Sequence, residues 1–275
     1  MTPAFDKTRI RDKYGREKVY ASAPFSPSSF VRAFPSLSFY IRIAKGPMRW
    51  LFRKGAKGEC DDIAWVYASA WCGDELERCG GSIVIEGLDN LLELSGPCVF
   101  VANHMSVLET FFLPGIIRPI MPVTFVVKES LVSMPLFGPV MRSRDPVVVG
   151  RKNPREDLIA TLAGGTERLN KGVSIVVFPQ HTRSRDFDPS QFNSIGEKLA
   201  ARAGAPIIPL ALKTDVWGLG KRIKELGRIR PELPARFRFG KPMRVSGKGR
   251  EERAAICDFI GDCLAEWQKE DGVNQ

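Results

Sequence analysis

The sequence predicts an α/β fold: a mostly parallel central sheet flanked by helices, with a basic amphipathic helical segment at the N-terminus. Three observations predict it. Short apolar runs recur along the chain: Cys98–Ala102, Val123–Val127, Pro146–Val149, Ser174–Phe178 and Ile207–Leu212. They are continuous rather than alternating, as strands buried on both faces require. Helical stretches lie between them, and strands alternating with helices build a parallel sheet through crossover connections. With 44% hydrophobic residues in 275, the chain has enough apolar material for a sizeable core, so global disorder is excluded.

The N-terminal segment, residues 1–58, carries the charge asymmetry. The chain holds 41 Lys/Arg against 31 Asp/Glu, a net +10. Residues 1–58 hold 13 of the cations and three acids, also +10, so the remainder is neutral. A basic leader before a balanced body suits an anionic partner surface, membrane or nucleic acid. Within it, Phe30 to Phe52 interleaves Phe30, Phe34, Phe39, Tyr40, Ile41, Ile43, Trp50, Leu51 and Phe52 with Arg32, Arg42, Lys45 and Arg49. That mixture suits one helix or a helix pair lying in the headgroup region; a helix packed on the body with its Arg side chains in water fits the same pattern. No clearly apolar, charge-free stretch reaches the length of a spanning helix. Residues 1–20 have no apolar core of a signal peptide.

Residues 59–275 form the predicted globular domain. From Glu59 to Cys79, apolar residues recur at three- and four-residue steps, a helix ended by Gly80-Gly81. Ser82 to Glu86 reads as a strand. Pro154 to Lys171 is the clearest helix: Asn153 caps it, Pro154 opens it and Glu156 completes a capping-box pattern. Arg236 to Val245 alternates, as a half-exposed strand does, and Glu251 to Lys269 closes the chain as an amphipathic helix. The six cysteines show no CxxC pair; they are expected to be buried thiols of a reducing compartment. Two histidines and irregular Cys spacing argue against a structural zinc site.

Those two histidines each follow an apolar strand, where α/β folds place their sites. His104 opens Asn103-His104-Met105-Ser106-Val107-Leu108-Glu109. A carboxylate five positions on can orient an imidazole base. On one ideal helix five residues turn by about 140°, so His104 must precede the helix for the two to meet. Ser106-x-x-Glu109 is also a capping box, and spacing alone leaves Glu109 either a cap or an orienting group. The second site reads Phe178-Pro179-Gln180-His181-Thr182-Arg183-Ser184-Arg185, a strand end with a hydroxyl and two guanidiniums suited to phosphate oxygens. A solvated basic loop is the plainer reading. A third basic patch runs from Arg142 and Arg144 to Arg151 at a strand end.

Taken together, these blocks resemble the glycerophospholipid acyltransferase family, whose best-known members are 1-acylglycerol-3-phosphate (lysophosphatidate) acyltransferases. The resemblance covers four ordered blocks between about Gly87 and Leu212: NHMSVLE, similar to the family's Asn-His-x4-Asp; Lys128 to Leu131 through Met134 to Gly138 and on to Val149-Gly-Arg151; FPQHTRS, similar to Phe-Pro-Glu-Gly-Thr-Arg-Ser; and Ala205 to Ala211. It implies His104 as general base, Glu109 as its orienting carboxylate, and direct attack of an acceptor hydroxyl on an acyl thioester. It implies Arg183 as the acceptor-phosphate ligand, with Arg151 and Thr182 helping. It implies no metal and no cofactor, acyl-CoA or acyl-carrier protein being a co-substrate, and a peripheral or monotopic enzyme on the cytoplasmic face of a membrane. Two departures stand out: Glu109 replaces Asp and Gln180-His181 replaces Glu-Gly, leaving His181 either at the headgroup site or packed beside it.

The expected function is O-acyl transfer to a lysophospholipid, most simply 1-acylglycerol 3-phosphate. Acylation of another lysolipid or of glycerol 3-phosphate is the same chemistry. A non-catalytic anionic-lipid-binding protein is the alternative of a different class. Nucleic acid is not expected as a partner, since no RNP motif or zinc finger accompanies the charge. The absence of G-x-S-x-G, G-x-G-x-x-G and a Walker loop disfavours serine hydrolases and nucleotide enzymes.

Overall fold

A computed structural model describes residues 13–14, 18–180 and 182–273. His181 lies outside the described residues, so its role is an expectation only.

Among the described residues eight strands form one sheet. In chain order they are β1 (Val19–Ala21), β2 (Ile83–Glu86), β3 (Val99–Ala102), β4 (Val123–Lys128), β5 (Val147–Val149), β6 (Ser174–Val177), β7 (Ile207–Lys213) and β8 (Ala235–Phe239). Their spatial order is β1-β2-β8-β7-β3-β6-β4-β5. The block β7-β3-β6-β4-β5 is parallel throughout. β8 runs antiparallel to β7, β2 parallel to β8, and β1 antiparallel to β2. The sheet is thus mostly parallel, as predicted. β3, β6 and β7 are buried at every position, which is why their sequences are unbroken apolar runs. β8 alternates buried and half-buried residues; it is shorter than the alternating stretch, ending at Phe239 before Gly240. Gly87, with φ +76°, ends β2 where a Cβ would overlap the Phe239 carbonyl oxygen, so a side chain is excluded there.

Helices cover both faces: α1 (Ser29–Ala33), α2 (Pro35–Ile43), α3 (Arg49–Ala56), α4 (Asp62–Arg78), α5 (Leu108–Ile117), α6 (Pro154–Asn170), α7 (Ile195–Ala203) and α8 (Arg250–Val273). One core lies between the sheet and α2 to α5, built around Phe39, Leu76, Phe100, Phe112 and Phe237. The second lies under α6 to α8 and includes Val101, Val177, Leu199, Ile260 and Trp267. Asn153 caps α6 as expected, its Oδ1 accepting the Arg155 N–H at 3.0 Å. The box closes differently: the Asn153 amide donates to Glu156 Oε1 at 2.8 Å. All six cysteines are buried free thiols.

The stretch Phe30 to Phe52 is a chain of short helices, broken between α2 and α3 by a π-turn at Ala44–Met48 that bends at Gly46. It packs on the body, as one reading of its pattern expected, and leaves an apolar row outside. Val31, Phe39, Ile43, Met48 and Leu51 enter the first core, whereas Phe30, Phe34, Leu37 and Ile41 face outward. α5 packs against α4 through Ser69, whose hydroxyl accepts the Gly115 N–H at 2.8 Å and donates to the Phe111 carbonyl. That contact, with Leu108, Phe112 and Leu113 fully buried, fixes the helix that follows β3. Each such buried side chain contributes about 1.5–3 kcal/mol.

Candidate active site

The site begins where β3 ends. Beyond Ala102 the ladder to β7 continues through a side chain: the Asn103 amide donates to the Leu212 carbonyl and accepts the Leu212 N–H, both at 2.8 Å. Asn103 thus mimics one more strand residue. The backbone is then released, and His104 falls on the turn between β3 and α5, as the spacing to Glu109 required.

Glu109 occupies the first turn of α5 and is fully buried. Its Oε1 accepts the Met105 N–H at 2.6 Å, and both carboxylate oxygens accept from the Ser106 N–H at 2.9 Å. The Ser106 hydroxyl accepts the Leu108 N–H and donates to Glu109 Oε2 at 3.1 Å, while the Thr214 hydroxyl at the end of β7 lies 3.0 Å from it. The capping reading is therefore realised. So is the pairing: His104 Nδ1 lies 3.5 Å from Glu109 Oε1. That is ion-pair distance without good hydrogen-bond geometry, as is common for catalytic pairs without substrate. Burial pushes the Glu109 carboxyl up, but the His104 ring and the Ser106 and Met105 N–H groups outweigh it and hold the carboxyl below its ordinary range. Glu109 is thus an anion that the fold sustains in its interior.

With Nδ1 turned to that anion, the imidazole presents Nε2 outward; the tautomer is assigned from the carboxylate's position. The His104 side chain is 13% exposed, so it reaches the surface. Its ring stacks on Phe178, with centroids 4.3 Å apart and planes inclined by 21°. Phe178 follows β6, and the stack fixes the ring plane. The Gln180 side-chain oxygen accepts the His104 N–H at 2.6 Å, and the His104 carbonyl accepts the Ser184 N–H at 2.9 Å. The two histidine-bearing blocks, about 75 residues apart in sequence, are thereby stitched together by backbone bonds.

Arg183 sits on that stitched loop, half-buried, its Nη2 donating to Glu225 at 3.0 Å while its buried Nη1 finds no partner among the described residues. Thr182 is exposed beside it. Arg185 reaches toward Asp215, at 3.6 Å. Arg151 lies past β5 in the left-handed region, φ +57°, with its N–H donating to Asp157 at 3.0 Å. It shares with Phe178 and Gln180 the lining of an open cavity of about 380 Å³, to which Lys152 and Lys198 add positive charge. The structure therefore brings His104, Glu109 and the Arg183 loop into contact, whereas Arg151 lines a cavity whose walls include Phe178 and Gln180 but not His104, Glu109 or Arg183. Arg142 and Arg144 are not part of the site: Arg142 bonds the Val132 carbonyl, and Arg144 clamps Asp62 and the Cys60 carbonyl.

Sequence reasoning missed four contributors. Phe178 and Gln180 were visible as members of their block but not as the ring's platform and backbone anchor. Thr214, the polar residue directly after the last apolar strand, carried a faint signal by position. Glu225 carried none, because its partner is 42 residues away.

A buried carboxylate behind an imidazole, with a guanidinium on the adjoining loop at strand ends of an α/β sheet, is an arrangement that can accept a proton and hold an anion. A family model described as Acyltransferase matches residues 82–213. A 1-acyl-sn-glycerol-3-phosphate acyltransferase of Pseudomonas aeruginosa is 31% identical over 225 residues, covering 82% of this chain and 79% of the relative. One from Escherichia coli is 31% identical over 183 residues, 65% and 71% of the two chains. The crystal structure of the 1-acyl-sn-glycerophosphate acyltransferase from Thermotoga maritima superposes with a TM-score of 0.61 at 20% identity, covering 87% of this chain and 97% of that one. The chain belongs to the glycerophospholipid acyltransferase family.

Proposed function

We propose that this enzyme moves a fatty acyl group from a thioester, acyl-CoA or acyl-carrier protein, to the free hydroxyl of 1-acylglycerol 3-phosphate. The observation that carries the reading is the His104–Glu109 pair. A solvent-reaching imidazole is backed at 3.5 Å by a carboxylate held ionised in the interior.

In this reading His104 Nε2 takes the proton of the acceptor hydroxyl as its oxygen attacks the thioester carbonyl carbon. The developing imidazolium is stabilised by Glu109. The tetrahedral intermediate collapses, the C–S bond breaks, and the proton passes from His104 to the departing sulfur. The products are diacylglycerol phosphate and a free thiol. No residue need be acylated, because a thioester is already activated; alignment and a base supply the rate, the base about 10²–10⁴-fold. Arg183 binds the phosphomonoester, aided by Arg151 and Thr182, because a guanidinium fork matches its oxygens. The reading calls for no metal or further cofactor.

The enzyme works in this proposal as a peripheral or monotopic protein on the cytoplasmic face of an anionic membrane. Among the described residues no helix is long and apolar enough to cross a bilayer. The outward Phe30, Phe34, Leu37 and Ile41, with Arg32, Lys45 and Arg49 near them, suit insertion into the interface.

The test is thiol release with purified protein and a panel of acceptors. The expected ranking places 1-acylglycerol 3-phosphate far above uncharged monoacylglycerol. Preference for glycerol 3-phosphate would move the acceptor within the same chemistry. Release indifferent to acceptor would refute the transfer reading.

A further inference from the structure

Residues 218–228 leave β7 and return to β8 as a tight loop. Its root is closed by the Trp217–Ile229 bridge and by the Gly218 N–H bonding the Arg228 carbonyl at 3.0 Å. That root is pinned to α2: the Tyr40 hydroxyl donates to the Gly227 carbonyl at 2.6 Å, and the Ile229 N–H donates to the Ser36 hydroxyl at 2.9 Å. Trp217, stacked on Phe111 and edge-on to Phe39 and Tyr40, fills the space beneath. The loop therefore stands rigidly beside the helix whose Leu37 and Ile41 face outward.

Its outer surface has a particular composition. Leu219, Ile223 and Leu226 are exposed, the last two by 55% and 56%. Between them Lys221, Arg222, Lys224 and Arg228 are exposed cations. Apolar side chains studded with cations are complementary to an anionic bilayer surface, where the former sink past the headgroups and the latter meet phosphates. The single acid of the loop, Glu225, is about half exposed but paired. It turns to Arg183 at 3.0 Å, and the backbone carbonyl of the same residue accepts the Trp217 indole N–H at 2.8 Å.

A carboxylate and a phosphomonoester compete for the same guanidinium donors. We infer that loop 218–228 is a second contact with the anionic bilayer surface, and that its Glu225 carboxylate occupies Arg183 until the phosphate of the lipid acceptor displaces it. One loop then joins the surface that supplies the acceptor to the residue that grips it. The second half of the inference rests on Arg183 being the phosphate ligand; the first half does not.

Two measurements on the full chain decide it. Co-sedimentation with vesicles of phosphatidylcholine plus phosphatidylglycerol compares wild type with the Ile223→Ser, Leu226→Ser double variant. The variant is expected to partition roughly ten-fold less or weaker still, while turning over a soluble short-chain lysophosphatidate like wild type, which shows it is folded. Undiminished partition by a folded variant overturns the surface contact. Steady-state kinetics of Glu225→Gln on the soluble acceptor are expected to show a several-fold lower KM for acceptor and an unaltered KM for thioester. An acceptor KM unchanged or raised overturns the competition. Arg183→Gln separates the causes: if it leaves the acceptor KM untouched, the phosphate assignment is at fault; if it raises that KM while Glu225→Gln does nothing, only the competition fails.

Discussion

Replacing Glu109 by Gln separates the two roles proposed for one carboxylate. The substitution keeps shape and removes charge. In the proposed mechanism His104 becomes an imidazolium 3.5 Å from Glu109 Oε1 as the hydroxyl proton moves. Two unit charges at about 4 Å interact by roughly 4 kcal/mol at an effective dielectric near 20, the regime of a pair with one member buried and the other barely exposed. The Gln carbonyl dipole recovers part of this, so kcat is expected to fall by about 30- to 10³-fold, equivalent to about 2–4 kcal/mol. Stability falls too. Both oxygens of Glu109 accept backbone N–H groups, and a Gln must turn its NH2 toward one set. One buried donor left without an acceptor costs about 1–3 kcal/mol, or roughly 2–12 °C in Tm. The assay is thiol release under saturating acceptor, paired with thermal melting. If Glu109 served only as a helix cap, Tm would drop while kcat stayed near wild type, and that outcome refutes the orienting role. The pH dependence of Tm checks the charge. Because the folded carboxyl lies below its ordinary value, its stabilisation is full above an unfolded pKa of about 4.3 and is lost as pH falls through the folded value. The Tm gap between wild type and Glu109→Gln should therefore close in acid, below about pH 4.

Three further outcomes are expected. Ser106→Ala removes the hydroxyl that caps Leu108 and bonds Glu109, so it should cost about 1–3 kcal/mol in melting experiments and reduce kcat less than Glu109→Gln; a kcat loss exceeding that of Glu109→Gln contradicts the arrangement. Arg183→Gln should raise the acceptor KM by about 10- to 150-fold, the worth of a charge-assisted bond, with the thioester KM unaffected; an equal rise in both places Arg183 elsewhere in the reaction. Phe30→Ser with Phe34→Ser should weaken vesicle binding about ten-fold or more without lowering Tm, since both rings are exposed; a Tm loss with unchanged vesicle binding assigns them to packing.

Much of this could be read from the chain because its determinants are local. The runs at Val99, Val123, Ser174 and Ile207 became strands at those positions because only a two-sided burial tolerates unbroken apolar sequence. Asn153-Pro154 placed the start of α6 by its own chemistry. His104 and Glu109 were legible because both belong to one turn and its helix. What escaped notice is non-local. β1, three residues long, is a strand only because β2 offers it an edge. The reversal of β8 against β7 depends on the loop between them, not on either strand's composition. The Phe178 ring under His104 and the Glu225 carboxylate on Arg183 join residues 74 and 42 positions apart, and no periodicity records such meetings. Glu109 also shows why two readings of one motif need not compete: the carboxylate that accepts the turn's N–H groups also lies 3.5 Å from His104 Nδ1.

The most direct measurement compares wild type and His104→Ala for thiol release on 1-acylglycerol 3-phosphate in phosphatidylglycerol-containing vesicles, with melting and vesicle partition recorded on the same samples. Loss of about 10²–10⁴-fold in turnover with both controls intact is the predicted result. Turnover close to wild type would place the proton acceptor somewhere other than His104.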